Sequence, residues 1–296
     1  CVNEHFLEKL KILGGTYVLP LSVNTEGYFI QKAVEEEGYQ IPSTYAELID
    51  TMQQIKKAGK LPIIFADKDS WTIHQGWDAI DMSSRGSQDE FFSERVEMVI
   101  FLYEDSIALD STRKFLEIRK YGQKQTVNTG YDEAVKKFAN GEAYMIFQGN
   151  WAYPMMKKNQ SDIDLLFMPF PAYHENQAKV VVKIDATLGV SASCKHLEAV
   201  EQFWIMFFSK NVSEYYADKA GAYSCIKTVD VEDSYAKAFT DSIRSGEIFS
   251  GGICLRDRKI GCDKCFISEL YQFPSKGYRK IILKELNDLL IQQKGD

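Results

Sequence analysis

Short apolar runs alternate with amphipathic stretches along this chain, and that alternation predicts strands interleaved with helices. Phe6, Leu7, Leu10 and Leu13 recur at helical spacing, and Gly14-Gly15 stops them. Gly15 to Ile30 reads as extended, through Thr16-Tyr17-Val18-Leu19-Pro20-Leu21-Ser22-Val23 and then Tyr28-Phe29-Ile30. Pro20 argues against a helix or a central strand at that point. A short helix over Lys32–Glu37 ends at Gly38. Pro42-Ser43-Thr44-Tyr45-Ala46-Glu47-Leu48 opens the next one, with Glu47 at capping-box distance from Thr44. Its apolar face is Leu48, Ile49, Met52, Ile55 and Ala58, and Gly59 terminates it.

Pro62-Ile63-Ile64-Phe65-Ala66 has the length of a buried strand, and Asp67 to Gly76 reads as a polar, aromatic loop leading into a helix. Helices are expected over Val96–Tyr103, Ser111–Tyr121 and Gly130–Phe138. Ala143-Tyr144-Met145-Ile146-Phe147 is expected as a strand running into Gly149-Asn150-Trp151. Further strands are expected at Leu165–Pro169, Val180–Val182 and Gly189–Ala192. Leu197 to Phe208 reads as an amphipathic helix whose apolar cluster, Phe203 to Phe208, is buried. A tail helix is expected over Ile281–Gln292. The fold class is therefore α/β, with a mainly parallel or mixed sheet.

Composition narrows the function. The 296 residues exceed one typical domain, and 45% apolar with 26% charged residues is ordinary for a globular protein. A net charge of −7 argues against a nucleic-acid partner. No apolar run is long enough to span a membrane. Residues 1–5 show neither a basic start nor an apolar run, so no secretory signal is read there. Cys1 is not followed by a Gly/Ser-rich tether, and it reads as an internal residue exposed by truncation.

The six cysteines, Cys1, Cys194, Cys225, Cys254, Cys262 and Cys265, are too sparse for a disulfide scaffold. Cys262 and Cys265 form one C-x-x-C pair, with only Cys254 nearby, where structural zinc sites want four ligands. His5, His74, His174 and His196 stand alone. There is no G-x-S-x-G elbow, phosphate loop or H-E-x-x-H, so no cofactor or metal is expected and binding is the default over catalysis.

A sugar offers apolar C–H faces edged by hydroxyls, so its site needs flat aromatic rings beside carboxylates and amides. Two strand-exit segments combine these. One is Asp67-Lys68-Asp69-Ser70-Trp71-Thr72-Ile73-His74, and the other Gln148-Gly149-Asn150-Trp151. Strand exits are where α/β sheets place ligands.

In order along the chain, several segments resemble the extracellular solute-binding proteins of ABC sugar importers, the maltose-binding-protein-like family. They are Gly15-Thr16-Tyr17 through Pro20 to Asn24-Thr25-Glu26-Gly27, Pro42 to Leu48, Lys57-Ala58-Gly59-Lys60-Leu61-Pro62-Ile63, Phe138 to Ala152, and Tyr215 to Ala222. The resemblance implies a two-lobed, type II periplasmic-binding-protein-like fold that clamps a mono- or oligosaccharide and closes by a hinge. It implies delivery to ABC permease subunits, a monomer, no enzyme activity, and an extracytoplasmic place, either as a cell-surface lipoprotein or in the periplasm. Carried over by position, Trp151 is the stacking indole, Trp71 an aromatic ligand contact and Asp69 a hydroxyl-binding acid. Asn24 falls in the first crossing segment and Asn150 beside Trp151, while Asp185 and Tyr223 lie near the second and third crossings.

Departures from the family pattern are Gln31 for Asn, Ser224 for Pro, and the Cys254–Cys265 stretch, which has no counterpart. The family normally has about a hundred more residues before the Gly15 segment, as a full two-domain chain would. The C-terminal lobe is accordingly expected over 25–182 and 231–296, complete, and a partial N-terminal lobe over 1–24 and 183–230. A cleft lacking most of one wall is expected to bind weakly. The alternatives are a carbohydrate-active enzyme using paired carboxylates, a cysteine-based redox or metal module, and an inactive fragment of a binding protein.

Overall fold

The extended reading of Gly15–Ile30 resolves into three strands, and the last of them organises the rest of the chain. The computed structural model describes residues 2–12, 15–84, 106–171, 180–229, 234–245 and 249–251. Strands β1 (Lys11–Ile12), β2 (Gly15–Thr16), β3 (Val18–Pro20) and β4 (Ser22–Gln31) are followed by β5 (Ile63–Ile64), β6 (Met145–Gly149) and β7 (Leu165–Met168). Then come β8 (Val181–Ile184), β9 (Thr187–Gly189), β10 (Tyr223–Ser224) and β11 (Phe249–Gly251). The helix expected at Val96–Tyr103, the tail helix at Ile281–Gln292, and Cys1, Cys254, Cys262 and Cys265 lie outside the described residues.

Strand β4 changes partners along its length. Val23, Asn24 and Thr25 pair antiparallel with β8, and Ser22 and Val23 with β10. From Glu26 onward the partners are β6, through Glu26–Ile30, and β7, through Tyr28–Gln31. Parallel pairings of β5 with β6 and β11 with β8 make the sheet mixed. Pro20 pairs with Thr187 in the separate β3–β9 ladder, where the missing N–H is tolerated.

The second half of β4 is buried on both faces, which explains its unbroken apolar run. Phe29 faces one core. There it stacks on Phe167 at 4.2 Å, and Phe167 stacks on Phe239 at 4.3 Å, with Phe138 and Met156 in the same cluster. Tyr28 and Ile30 point the other way into a core of Leu48, Met52, Ile55, Phe115 and Phe147. Helices Tyr131–Ala139, Tyr153–Asn159 and Lys237–Ser245 thus cover one face, and Tyr45–Lys57, Trp71–Ser83 and Ser106–Arg119 the other. Full burial of each Phe contributes about 1.5–3 kcal/mol.

The Tyr45–Lys57 helix begins with the expected capping box, the Glu47 N–H donating to Thr44 Oγ1 and the Thr44 N–H to Glu47 Oε2. It ends at Gly59, whose φ of 77° suits a residue without a β-carbon.

Three expectations are corrected. The segment read as a loop from Asp67 to Gly76 becomes helical at Trp71. Thr72 turns its polar groups inward, its N–H donating to Asp69 O and its hydroxyl to Ala66 O and Asp69 O. The expected strand at Gly189–Ala192 lies earlier, at Thr187–Gly189, because Ser191 starts a turn closed by the Cys194 N–H. The Leu197–Phe207 helix forms, but its apolar cluster is not buried: Phe203 is 44%, Met206 52% and Ile205 69% exposed, and only Phe208 beyond its end is enclosed. Its described contacts run through Trp204 and Phe207 to a small cluster of Leu21, Phe208 and Ile226.

Hydrogen bonds from the Ser43 N–H and hydroxyl, helped by the Thr44 N–H, hold the Glu47 carboxyl down from 4.5 to about 2. A folded-state pKa below the unfolded one gives stability that is present above pH 4.5 and fades as pH falls toward 2. Urea unfolding of the wild type and Glu47→Gln should therefore differ most near neutrality and converge through that window. A difference that ignores pH would show that the charge has no part in the cap.

Candidate functional site

The site is built where β5 and β6, which run parallel, reach their C-terminal ends. After β5 the backbone of Phe65 pairs with a side chain, its N–H donating to Gln123 Oε1 at 3.0 Å and its carbonyl accepting from Gln123 Nε2 at 2.6 Å. Asp67 is buried against Arg119. Nη1 donates to Oδ1 at 3.1 Å, Nη2 to Oδ2, and Nη2 also reaches Thr126 Oγ1 at 3.3 Å. The guanidinium lies 4.7 Å from the Phe65 ring centroid and 5.3 Å from that of Phe115. The Lys68 N–H donates to Thr129 O, and the Tyr131 N–H donates to Asp69 Oδ2 at 2.6 Å. Phe65, Asp67, Lys68 and Asp69 are thereby tied down, and Trp71, two residues on, is the first residue of its helix.

Trp71 is 43% exposed, with its ring centroid 5.1 Å from Tyr131 and 6.4 Å from Trp151, tilted by 55° and 51°. Trp151 is half-buried in the turn Asn150–Ala152 that follows β6. Burial, with the neighbouring Asp132 charge, pushes the Tyr131 phenol up to about 12. Three rings and one carboxylate thus gather at two strand ends. Such an arrangement can stack on an apolar face and bond to hydroxyls at its rim.

The remaining candidates sit around the first half of β4. Asn150 is fully buried. Its Oδ1 accepts from the Thr25 N–H at 2.8 Å, and its Nδ2 donates to Gly221 O at 2.6 Å and lies 3.4 Å from Asn24 Oδ1. Asn24 is half-buried on β4 opposite Lys183. Asp185 is exposed; its N–H donates to Ser22 O at 3.0 Å, and its carboxylate accepts from the Ser22 hydroxyl at 3.5 Å. Tyr223 is 2% exposed on β10, paired with Val23. The structure therefore joins Trp71, Trp151 and Asp69 in one group and Asn24 with Asn150 in another. The described bonds of Asp185 run to Ser22, and Tyr223 belongs to the core.

A small pocket lined by Phe65, Thr72, Phe115, Phe147 and Gln148 lies behind the strand ends; at about 260 Å³ including its mouth, it falls below the usual size of enclosed ligand sites. The aromatic group is the better candidate surface. Tyr131 and the Asp67–Arg119 pair went unseen in the sequence. Tyr131 follows a helix-opening Gly130, a signal that an aromatic stands at a helix start. Nothing in the sequence links positions 67 and 119. Among the described residues there is no cluster of three or more metal-ligating side chains.

The fold is the two-lobed α/β arrangement of type II periplasmic receptors. RafE from Streptococcus pneumoniae in its apo form matches with a TM-score of 0.73 at 19% identity, covering 99% of this chain and 76% of that one. RafE in complex with raffinose also gives 0.73, at 21% identity over 99% and 77%. A chitin oligosaccharide binding protein gives 0.70 at 20% identity, covering 98% and 73%. The family of bacterial extracellular solute-binding proteins matches residues 2–211, and the chain belongs to that family. A multiple sugar-binding protein of Streptococcus mutans is 25% identical over 237 residues, which is 77% of this chain and 56% of that protein. The chain thus spans little more than half the length of that relative.

Replacing Arg119 by Met should leave the Asp67 charge buried without a partner and cost about 3–5 kcal/mol, read by urea unfolding. A loss below about 1 kcal/mol, the range of surface pairs, would mean that water reaches Asp67.

Proposed function

We propose that this protein captures a mono- or oligosaccharide between two lobes and delivers it to the transmembrane subunits of an ABC permease. It acts outside the cytoplasm, on the cell surface as a lipoprotein or in the periplasm, as a monomer without catalytic activity. One lobe comprises 1–24 with 183–230 and the other 25–182 with 231–296; the partner change of β4 at Thr25 supports that division. The observation that carries the reading is the meeting of Trp71 and Trp151, 6.4 Å apart at the ends of adjacent strand segments, with Asp69 and Tyr131 beside them. The names of the relatives, a multiple sugar-binding protein and a receptor in complex with raffinose, agree with it.

In this reading Trp151 and Trp71 stack on the sugar and Asp69 accepts from its hydroxyls. Asn24 and Asp185 contribute polar contacts at the crossing segments. Asn150 and Tyr223, both buried, support the site without facing solvent, Asn150 through its bonds to Thr25 and Gly221 and Tyr223 through its pairing with Val23 on β4.

Isothermal titration calorimetry against a panel of mono- and oligosaccharides tests this. At least one saccharide should bind, and Trp151→Ala should cost about 2 kcal/mol or more, roughly a 30-fold loss, as for a central aromatic anchor. No heat from any panel member, together with no change in melting temperature, would remove the saccharide reading.

A further inference from the structure

Gly149 closes β6, two residues before Trp151, and the indole folds back over it. A β-carbon at Gly149 would stand 2.1, 2.3 and 2.4 Å from Cζ3, Cη2 and Cε3 of the Trp151 ring. Real carbon–carbon contacts lie near 3.5–4.0 Å, so no side chain at this position coexists with the ring where it stands. The backbone itself does not ask for glycine. Its φ of −91° and ψ of 168° are ordinary extended values open to any residue. The missing side chain is explained by the ring and not by the chain path.

We infer that Gly149 is a positioning residue for the aromatic wall: its bare Cα is the seat that fixes the Trp151 indole against Trp71. The geometry around it leaves little freedom. Gly149 is buried and paired with Glu26 across the ladder, and Asn150, next in sequence, is pinned to Thr25 and Gly221. The backbone leading into the ring is held at both residues, so an added methyl must move the ring. The spectroscopic part of this inference depends only on the two indoles, and the ligand part rests on the saccharide reading above.

Two indoles at 6.4 Å and 51° couple their transitions and give a paired signal in circular dichroism. The wild type should show this couplet, and Trp71→Phe and Trp151→Phe should each lose it. Gly149→Ala should lose it too, with its melting transition still cooperative, and should bind the saccharide identified for the wild type roughly tenfold or more weakly. A Gly149→Ala protein that keeps the couplet overturns the proposal. If Gly149→Ala fails to fold, the Trp151→Ala background decides: there the same alanine should cost nothing further, because no ring remains to collide. An equal loss in both backgrounds overturns the proposal and assigns the glycine to the backbone. Loss of the couplet in Gly149→Ala of a chain whose wild type binds no saccharide upholds the positioning and overturns only the saccharide reading.

Discussion

Every backbone group of a buried strand needs a partner, and β4 meets that demand with different neighbours at its two ends. β8 and β10 serve the first residues, β6 and β7 the later ones. At the changeover the Thr25 N–H is taken by the side chain of Asn150. That carboxamide also holds Gly221 O, just before β10. One fully buried side chain therefore joins β4, the segment leading to β10, and the turn that carries Trp151. A buried amide bonded at both its oxygen and its nitrogen is a strong specifier of geometry, because any displacement leaves several groups unsatisfied at once.

The aromatic site inherits its order from this junction on one side and from Arg119 on the other. The loop before Trp71 looks polar and mobile by composition, yet Phe65, Asp67, Lys68 and Asp69 each hold a partner in the 119–131 region. Ligand contacts placed on such tethered backbone need little ordering when they bind, and that saves affinity that a loose loop would lose.

The elements were legible where local chemistry decides them. The Thr44–Glu47 capping box, the Gly59 stop and the apolar run of β4 follow from spacing alone. The candidate site was half legible: Trp71, Trp151 and Asp69 come together as their strand-exit positions suggest. What escaped were relations across long sequence distance. Asp67 gives no sign of Arg119, and Tyr131 no sign of Trp71. The apolar pattern of Leu197–Phe207 predicts that a face is greasy but not that anything covers it, and in the described residues that face meets solvent. Polar residues at Asp69, Ser70 and Thr72 read as loop because their side chains compete with helical bonds. Here the Thr72 hydroxyl donates back to Ala66 O and Asp69 O, and the Asp69 carboxylate accepts from the Tyr131 N–H at the start of the Tyr131–Ala139 helix.

The path of β4 has a consequence for biosynthesis. Its bond to Asn150 spans 125 positions. At ordinary elongation rates Tyr28, Phe29 and Ile30 leave the ribosome on the order of ten seconds before β6 exists to shield them. For that interval the nascent chain displays an unpaired, two-sided apolar strand, the kind of segment that chaperones recognise and that nucleates aggregates when it is left unattended. The same strand that unites the described residues is exposed while the molecule is being made.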